Sequence, residues 1–135
     1  YRFDAVVYCV FAALGFAALE NIFYVAEFGF SVAVSRALLS VPGHFFFAVY
    51  MGIYLGQAKL AERASGRYYV ELPDDTPGPY LRASLIVPTL LHGFWDFSLS
   101  VGGGIMAVLF YVFVLVFFID AYRKLRFAAG TDEQL

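Results

Sequence analysis

Charged residues and thiols are scarce in this chain. Only 15% of its 135 residues are Asp, Glu, Lys or Arg, against about 25% in ordinary soluble domains, while 61% are apolar. With a mean hydropathy of +0.73, an ordinary soluble domain is excluded and a membrane protein is indicated. A single cysteine, Cys9, excludes an internal disulfide, and inside an apolar stretch it reads as a small packing residue. The nine Lys and Arg are clustered, not spread over one face, and the net charge is -2, so no nucleic-acid partner is indicated. There is no HExxH helix. There is also no initiator Met and no charged leader before a short apolar core, so the first helix is not a signal peptide in form and an upstream portion is expected to be missing.

What is present is a set of long apolar runs. Ala5 to Ala26, Phe30 to Ala58, Leu81 to Ser100 and Val101 to Tyr122 are each near the ~20 residues that cross a hydrocarbon core about 30 Å thick. The expected fold is all-α, a polytopic membrane helix bundle of about four transmembrane helices within residues 1–127, followed by a polar tail at 128–135. Basic residues fall at Arg2, at Lys59, Arg63, Arg67 and Arg82, and at Arg123, Lys124 and Arg126. The positive-inside rule therefore predicts both termini and the 59–80 connection in the cytoplasm. That connection carries Ser65-Gly66 and the run Pro73 to Pro79, turn and linker residues, and reads as a loop; its Tyr68 to Leu72 run is at most a brief strand or an interfacial segment. Gly15, Ala17 and Ala18 in the first helix, and Gly52 and Gly56 in the second, mark candidate close helix contacts.

Three polar groups interrupt the apolar runs: Glu20-Asn21, His44, and His92 with Asp96. A carboxylate or imidazole at that depth is costly to keep, which makes each a candidate functional group. Pro42 and Pro88 precede the two histidines and remove backbone hydrogen bonds, an arrangement tolerated in a bilayer where the chain lines a polar or wet cavity. His92 and Asp96, four apart, share a helical face, where the carboxylate could accept a hydrogen bond and fix the imidazole tautomer. Arg36, Ser40 and His44 follow at helical spacing, so Arg36 either snorkels outward or faces the site. In antiparallel neighbours Glu20, His44 and His92 would converge from three helices. One glutamate and two histidines make the ligand set of a hydrolytic zinc site with an open position; without metal, a carboxylate could activate water while the histidines stabilise an oxyanion.

At these residues the chain resembles the PrsW family of bacterial intramembrane proteases, relatives of the type II CAAX prenyl endopeptidases and Abi-type membrane proteins. The matching pieces are Gly15 to Tyr24 with Glu20-Asn21, then Arg36 and Ser40 to His44 with Gly52 and Tyr54 to Gly56, and finally His92 to Asp96. The resemblance implies a multi-pass protease of the bacterial cytoplasmic membrane, expected to be metal-dependent, that cuts membrane-anchored proteins such as anti-sigma factors. It also implies Glu20, His44 and His92 as the catalytic or zinc-binding set, with Asn21, Arg36 and Asp96 in support. One departure stands out. The family carries a glutamate pair in an EExxK-like motif on a preceding helix, and here the only acidic doublets are Asp74-Asp75 and Asp132-Glu133. The expectation is a fragment of a larger protease bundle that inserts in membranes yet is inactive alone. A noncatalytic protein that binds or shields a transmembrane partner, and an ion or proton pathway, are the competing readings; the second lacks detectable repeats.

Overall fold

In a computed structural model, described for residues 1–64 and 78–132, the chain is a bundle of four long helices. They are α1 (Asp4–Phe28), α2 (Val41–Ala64), α3 (Gly78–Val101) and α4 (Gly104–Gly130). There is no strand among the described residues. Between α1 and α2 the chain makes a 3-10 turn (Phe30–Val32), one α turn (Ala33–Ser35) and a π turn (Arg36–Ser40). The π turn answers the proline problem: Pro42 cannot donate to the Leu38 carbonyl, and the ladder widens just before it, as π turns often do beside functional groups.

The helices run past the ends expected from hydropathy. The second continues through Lys59 and Arg63 to Ala64, where Lys59 donates to Glu62 at 2.8 Å, and the third starts at Gly78 with Pro79 in its first turn, a position where the missing amide costs nothing. The supposed tail also begins as helix: α4 extends to Gly130 with Ala128 buried, and Thr131 donates to the Phe127 carbonyl. Hydropathy misses these ends because helices continue into the polar interface after the apolar run stops. Ser65-Gly66, Tyr68 to Leu72 and Pro73 to Pro77 lie outside the described residues.

Three helical stretches, Asp4–Phe28, Phe30–Arg63 and Gly104–Gly130, are long and apolar enough to cross a membrane. The 24-residue α3 is long enough but is diluted by Arg82, His92 and Asp96. It packs along α2, as α1 does on another side, while α4 touches α2 and α3. The Arg2 guanidinium donates to the Thr131 carbonyl at 2.9 Å, and a Cβ built on Gly56 would lie 2.7 Å from the Arg2 carbonyl. The start of α1, the end of α2 and the end of α4 therefore share one end of the bundle.

In lipid there is no hydrophobic drive between helices, so contact area and small residues decide the packing. Gly52 and Gly56 meet α1 directly, as their spacing suggested: a Cβ on Gly52 would stand 2.3 Å from Val6 Cα. Ala17 is buried, whereas Gly15 has open space around it and belongs to no close contact. Between α2, α3 and α4 an aromatic core forms from Phe47, Tyr50, Trp95, Phe110 and Phe117, with Phe47 and Phe117 stacked at 5.0 Å. Nearer the shared end, the Tyr50 hydroxyl and Lys124 both donate to Asp120, tying α2 to α4 by the mutual pairing that polar groups at membrane depth require. The outer faces of α4 expose Val108, Leu115 and Val116, side chains suited to hydrocarbon. The turn from α3 to α4 needs glycine, since Gly102 and Gly103 have φ of 63° and 86°.

Candidate active site

Glu20 on α1, Arg36 in the π turn and His44 on α2 form one connected cluster. Glu20 Oε2 accepts from Arg36 Nη2 at 2.6 Å and stands 3.0 Å from His44 Nε2. Arg36 is fixed from four sides: Nε donates to Asn21 Oδ1 at 2.6 Å, Nη2 also donates to Ser40 Oγ at 3.2 Å, and Cζ lies 3.7 Å from the Tyr24 ring centroid. Arg36 thus faces the site and does not snorkel. Side-chain exposures of 15% for Arg36, 24% for Glu20 and 8% for His44 leave little water to solvate these charges. Their mutual hydrogen bonds compensate part of that loss.

His92 completes the convergence. Its ring centroid lies 5.0 Å from that of His44, nearly edge to face, and Phe47 contacts both rings. Trp95 backs the pair; its indole sits where a Cβ on Gly43 would meet it at 3.2 Å, so glycine beside His44 lets the ring pack on the α2 backbone without shifting. Asp96 is mostly exposed, and its Oδ2 stands 3.6 Å from His92 Nε2, longer than a hydrogen bond. The expected His92–Asp96 bond is therefore not closed: the spacing puts both groups on one face, but Asp96 turns outward to solvent. Glu20, His44, His92, Arg36 and Asp96 border one cleft of about 480 Å³, a volume typical of a ligand site.

Glu20, His44 and His92 are thus brought together from three helices, with Asn21 joined through Arg36. Sequence reasoning missed Tyr24, which holds the guanidinium, and Trp95, which seats α3 against Gly43. An aromatic one turn beyond Glu20 was the available signal for Tyr24.

Zinc was a candidate for Glu20, His44 and His92. The donor types suit it; as the side chains stand, no group of three His, Cys, Asp or Glu among the described residues is arranged to hold an ion, so ligation by this set would need a side-chain rearrangement. Glu20 Oε2 is directed at Arg36 and His44, and a guanidinium on the same oxygen opposes a divalent cation electrostatically.

A carboxylate, a guanidinium and two imidazoles enclosed by apolar helices define a multi-pass membrane protein with an intramembrane polar site. Residues 1–121 match the family described as PrsW family intramembrane metalloprotease, and the chain belongs to that family. It is similar to Protease PrsW of Geobacillus kaustophilus (strain HTA426), 38% identical over 131 residues that cover 95% of this chain and 51% of the relative. It is also similar to Protease PrsW of Bacillus subtilis (strain 168), 40% identical over 99 residues covering 73% of the chain and 40% of the relative. With Protease PrsW of Clostridioides difficile (strain 630) the identity is 32%, covering 85% of the chain and 46% of the relative. The chain spans about half the length of the curated relatives it matches. No solved structure matches it.

Proposed function

We propose that this chain forms the Glu20–His44–His92 part of an intramembrane peptidase that hydrolyses peptide bonds in membrane-anchored proteins, anti-sigma factors among them. The observation that carries the reading is the 3.0 Å contact of His44 Nε2 with Glu20 Oε2, in a cleft that His92 shares. Family membership supports the reaction class. In this reading Glu20, fixed by Arg36, accepts a hydrogen bond from the His44 Nε2–H and orients the ring, as carboxylates orient general-base imidazoles. The other ring nitrogen, Nδ1, then takes a proton from water as the water oxygen attacks the scissile carbonyl carbon. His92 donates to the resulting oxyanion. As the C–N bond breaks, the leaving amine takes the proton back from His44. Reconstitution of the complete gene product with a membrane-anchored reporter tests the reading: two fragments are expected, and an intact reporter beside a correctly inserted protein rejects it. Glu20 is the carboxylate in contact with His44, and because residues 1–135 lack the adjacent glutamate pair, the isolated chain is proposed to insert without cleaving.

A second reading puts zinc on Glu20, His44 and His92. It is favoured by the donor types and by the family's description as metalloproteases, and it requires Glu20 to release Arg36. Bound to those three side chains, zinc would supply Lewis-acid chemistry. Elemental analysis of the purified active gene product separates the readings. Full activity at far less than one metal per protein is the outcome expected here, whereas stoichiometric zinc, with activity lost to a chelator and restored by add-back, would establish the metal.

The proposed site is in the cytoplasmic membrane with Tyr1, the 59–80 connection and the end of α4 inside. The clustering of Arg2, Lys59, Arg63, Lys124 and Arg126 toward one end supports this orientation. With single cysteines at Ser65 and Gly104 in a Cys9→Ala background, an impermeant thiol reagent on intact cells is expected to label Gly104→Cys alone. Labelling of Ser65→Cys alone would reverse the topology.

A further inference from the structure

The site cleft does not end at the two histidines. A second cleft of about 360 Å³ continues from them between α1 and α3, and both clefts are bordered by His44, Phe47 and His92. α1 and α3 each pack on α2 but scarcely on each other, so a trough runs along α2 between them. Its character changes along its length. On one side of the histidines it holds Glu20, Arg36 and Asp96; on the other its walls are Ala12, Ala13 and Thr89, over a floor that includes Ala48 and Met51. From Tyr24 to Cys9 on α1 the trough is about 22 Å long at 1.5 Å per residue.

Resting on the peptidase reading above, we propose that the apolar half of this trough is the seat of the substrate's transmembrane segment, with Ala12 and Ala13 as specificity-determining residues. Three features favour a polypeptide as the occupant. The seat is continuous with the reacting groups, both clefts being bordered by His44, Phe47 and His92, so a segment lying in it passes the His44–His92 pair. Between Cys9 and Phe16 its α1 wall carries Ala12 and Ala13, and the small side chains of Cys9 and Ala13 one turn apart let another backbone approach closely. Met51 on the floor is an unbranched, adaptable side chain that suits varied apolar surfaces. The polar half receives the part of the substrate that leaves the apolar stretch, so the bond presented to the histidines lies where the substrate changes from apolar to polar.

The test uses the complete gene product in liposomes with a membrane-anchored reporter. Ala12→Trp and Ala13→Trp are expected to raise KM at least tenfold with kcat changed less than threefold, because the seat is narrowed and the reacting groups are untouched. Ala18→Trp, on an exposed face of α1 outside the trough, is expected to leave both constants unchanged. Equal KM values for all of these would overturn the proposal. An independent arm does not depend on turnover: benzoylphenylalanine in place of Thr89, in a Glu20→Gln background, is expected to give a light-dependent adduct with the reporter that excess unlabelled reporter suppresses. The same group in place of Leu115 on the outer face of α4 is expected to give none. An adduct at the Thr89 position only with lipid, with a second copy or with another segment of the same gene product would overturn the seat. An adduct at the Thr89 position with no cleavage of the reporter by the protein that retains Glu20 would instead count against the peptidase reading alone.

Discussion

His44→Ala is expected to lower kcat/KM for a membrane-anchored reporter by about 10²–10⁴-fold in the complete gene product, the range that positioned general acid–base groups contribute. His44 joins Glu20 to the reacting end of the cleft, and its 8% side-chain exposure means that water does not readily fill its role. Glu20→Gln should show a similar loss, since the amide keeps the shape but neither anchors Arg36 as a charge nor stabilises an imidazolium. His92→Ala should lower kcat with a smaller effect on KM. Each variant is to be compared at equal membrane insertion and equal elution volume. Unchanged turnover in a well-inserted variant would remove that residue from the catalytic set.

The largest structural effect is expected at Gly52. A Cβ there would lie 2.3 Å from Val6 Cα, a clash with backbone that no side-chain rotation relieves. Gly52→Ala should therefore destabilise the docking of α1 by about 1–3 kcal/mol, the usual cost of overpacking, and Gly52→Leu should separate the helices. Gly15→Leu is the matched control, because nothing stands within 4 Å of its Cβ position. Thermal unfolding in detergent, followed by intrinsic fluorescence, should fall markedly for Gly52→Leu and little for Gly15→Leu. Equal melting temperatures would show that α1 is not held through the Gly52 contact.

The sequence shows much of this arrangement because the membrane makes its signals simple. Apolar length locates the helices, the cost of a buried charge singles out Glu20, His44 and His92, and Gly52 with Gly56 marks where backbones meet. What depends on geometry between elements was not legible. The His92–Asp96 spacing fixes a shared face but not the rotamer that turns Asp96 to solvent. Helical spacing allowed Arg36 to point either way; its direction follows from the π turn and from Tyr24 on a different helix. Gly43 reads as an ordinary membrane-helix glycine until Trp95 of α3 is seen against it. The Tyr50–Asp120–Lys124 link joins residues 70 positions apart in sequence, and no local pattern pairs them. Helix ends were underestimated because Lys59 to Arg63 look like loop by hydropathy, whereas the helix continues into the polar interface, where Lys59 pairs with Glu62.

The most direct test is mass spectrometry of the cleavage products formed in ¹⁸O-labelled water by the purified gene product in liposomes, beside its Glu20→Gln variant. The expected result is one ¹⁸O atom in the new carboxyl terminus of the membrane-anchored reporter, with the cut at the boundary of its apolar stretch, and no such product from the variant. Equal yields of the same labelled product from both proteins, or no product from a fully inserted wild-type protein, would contradict peptide hydrolysis at the Glu20–His44–His92 site.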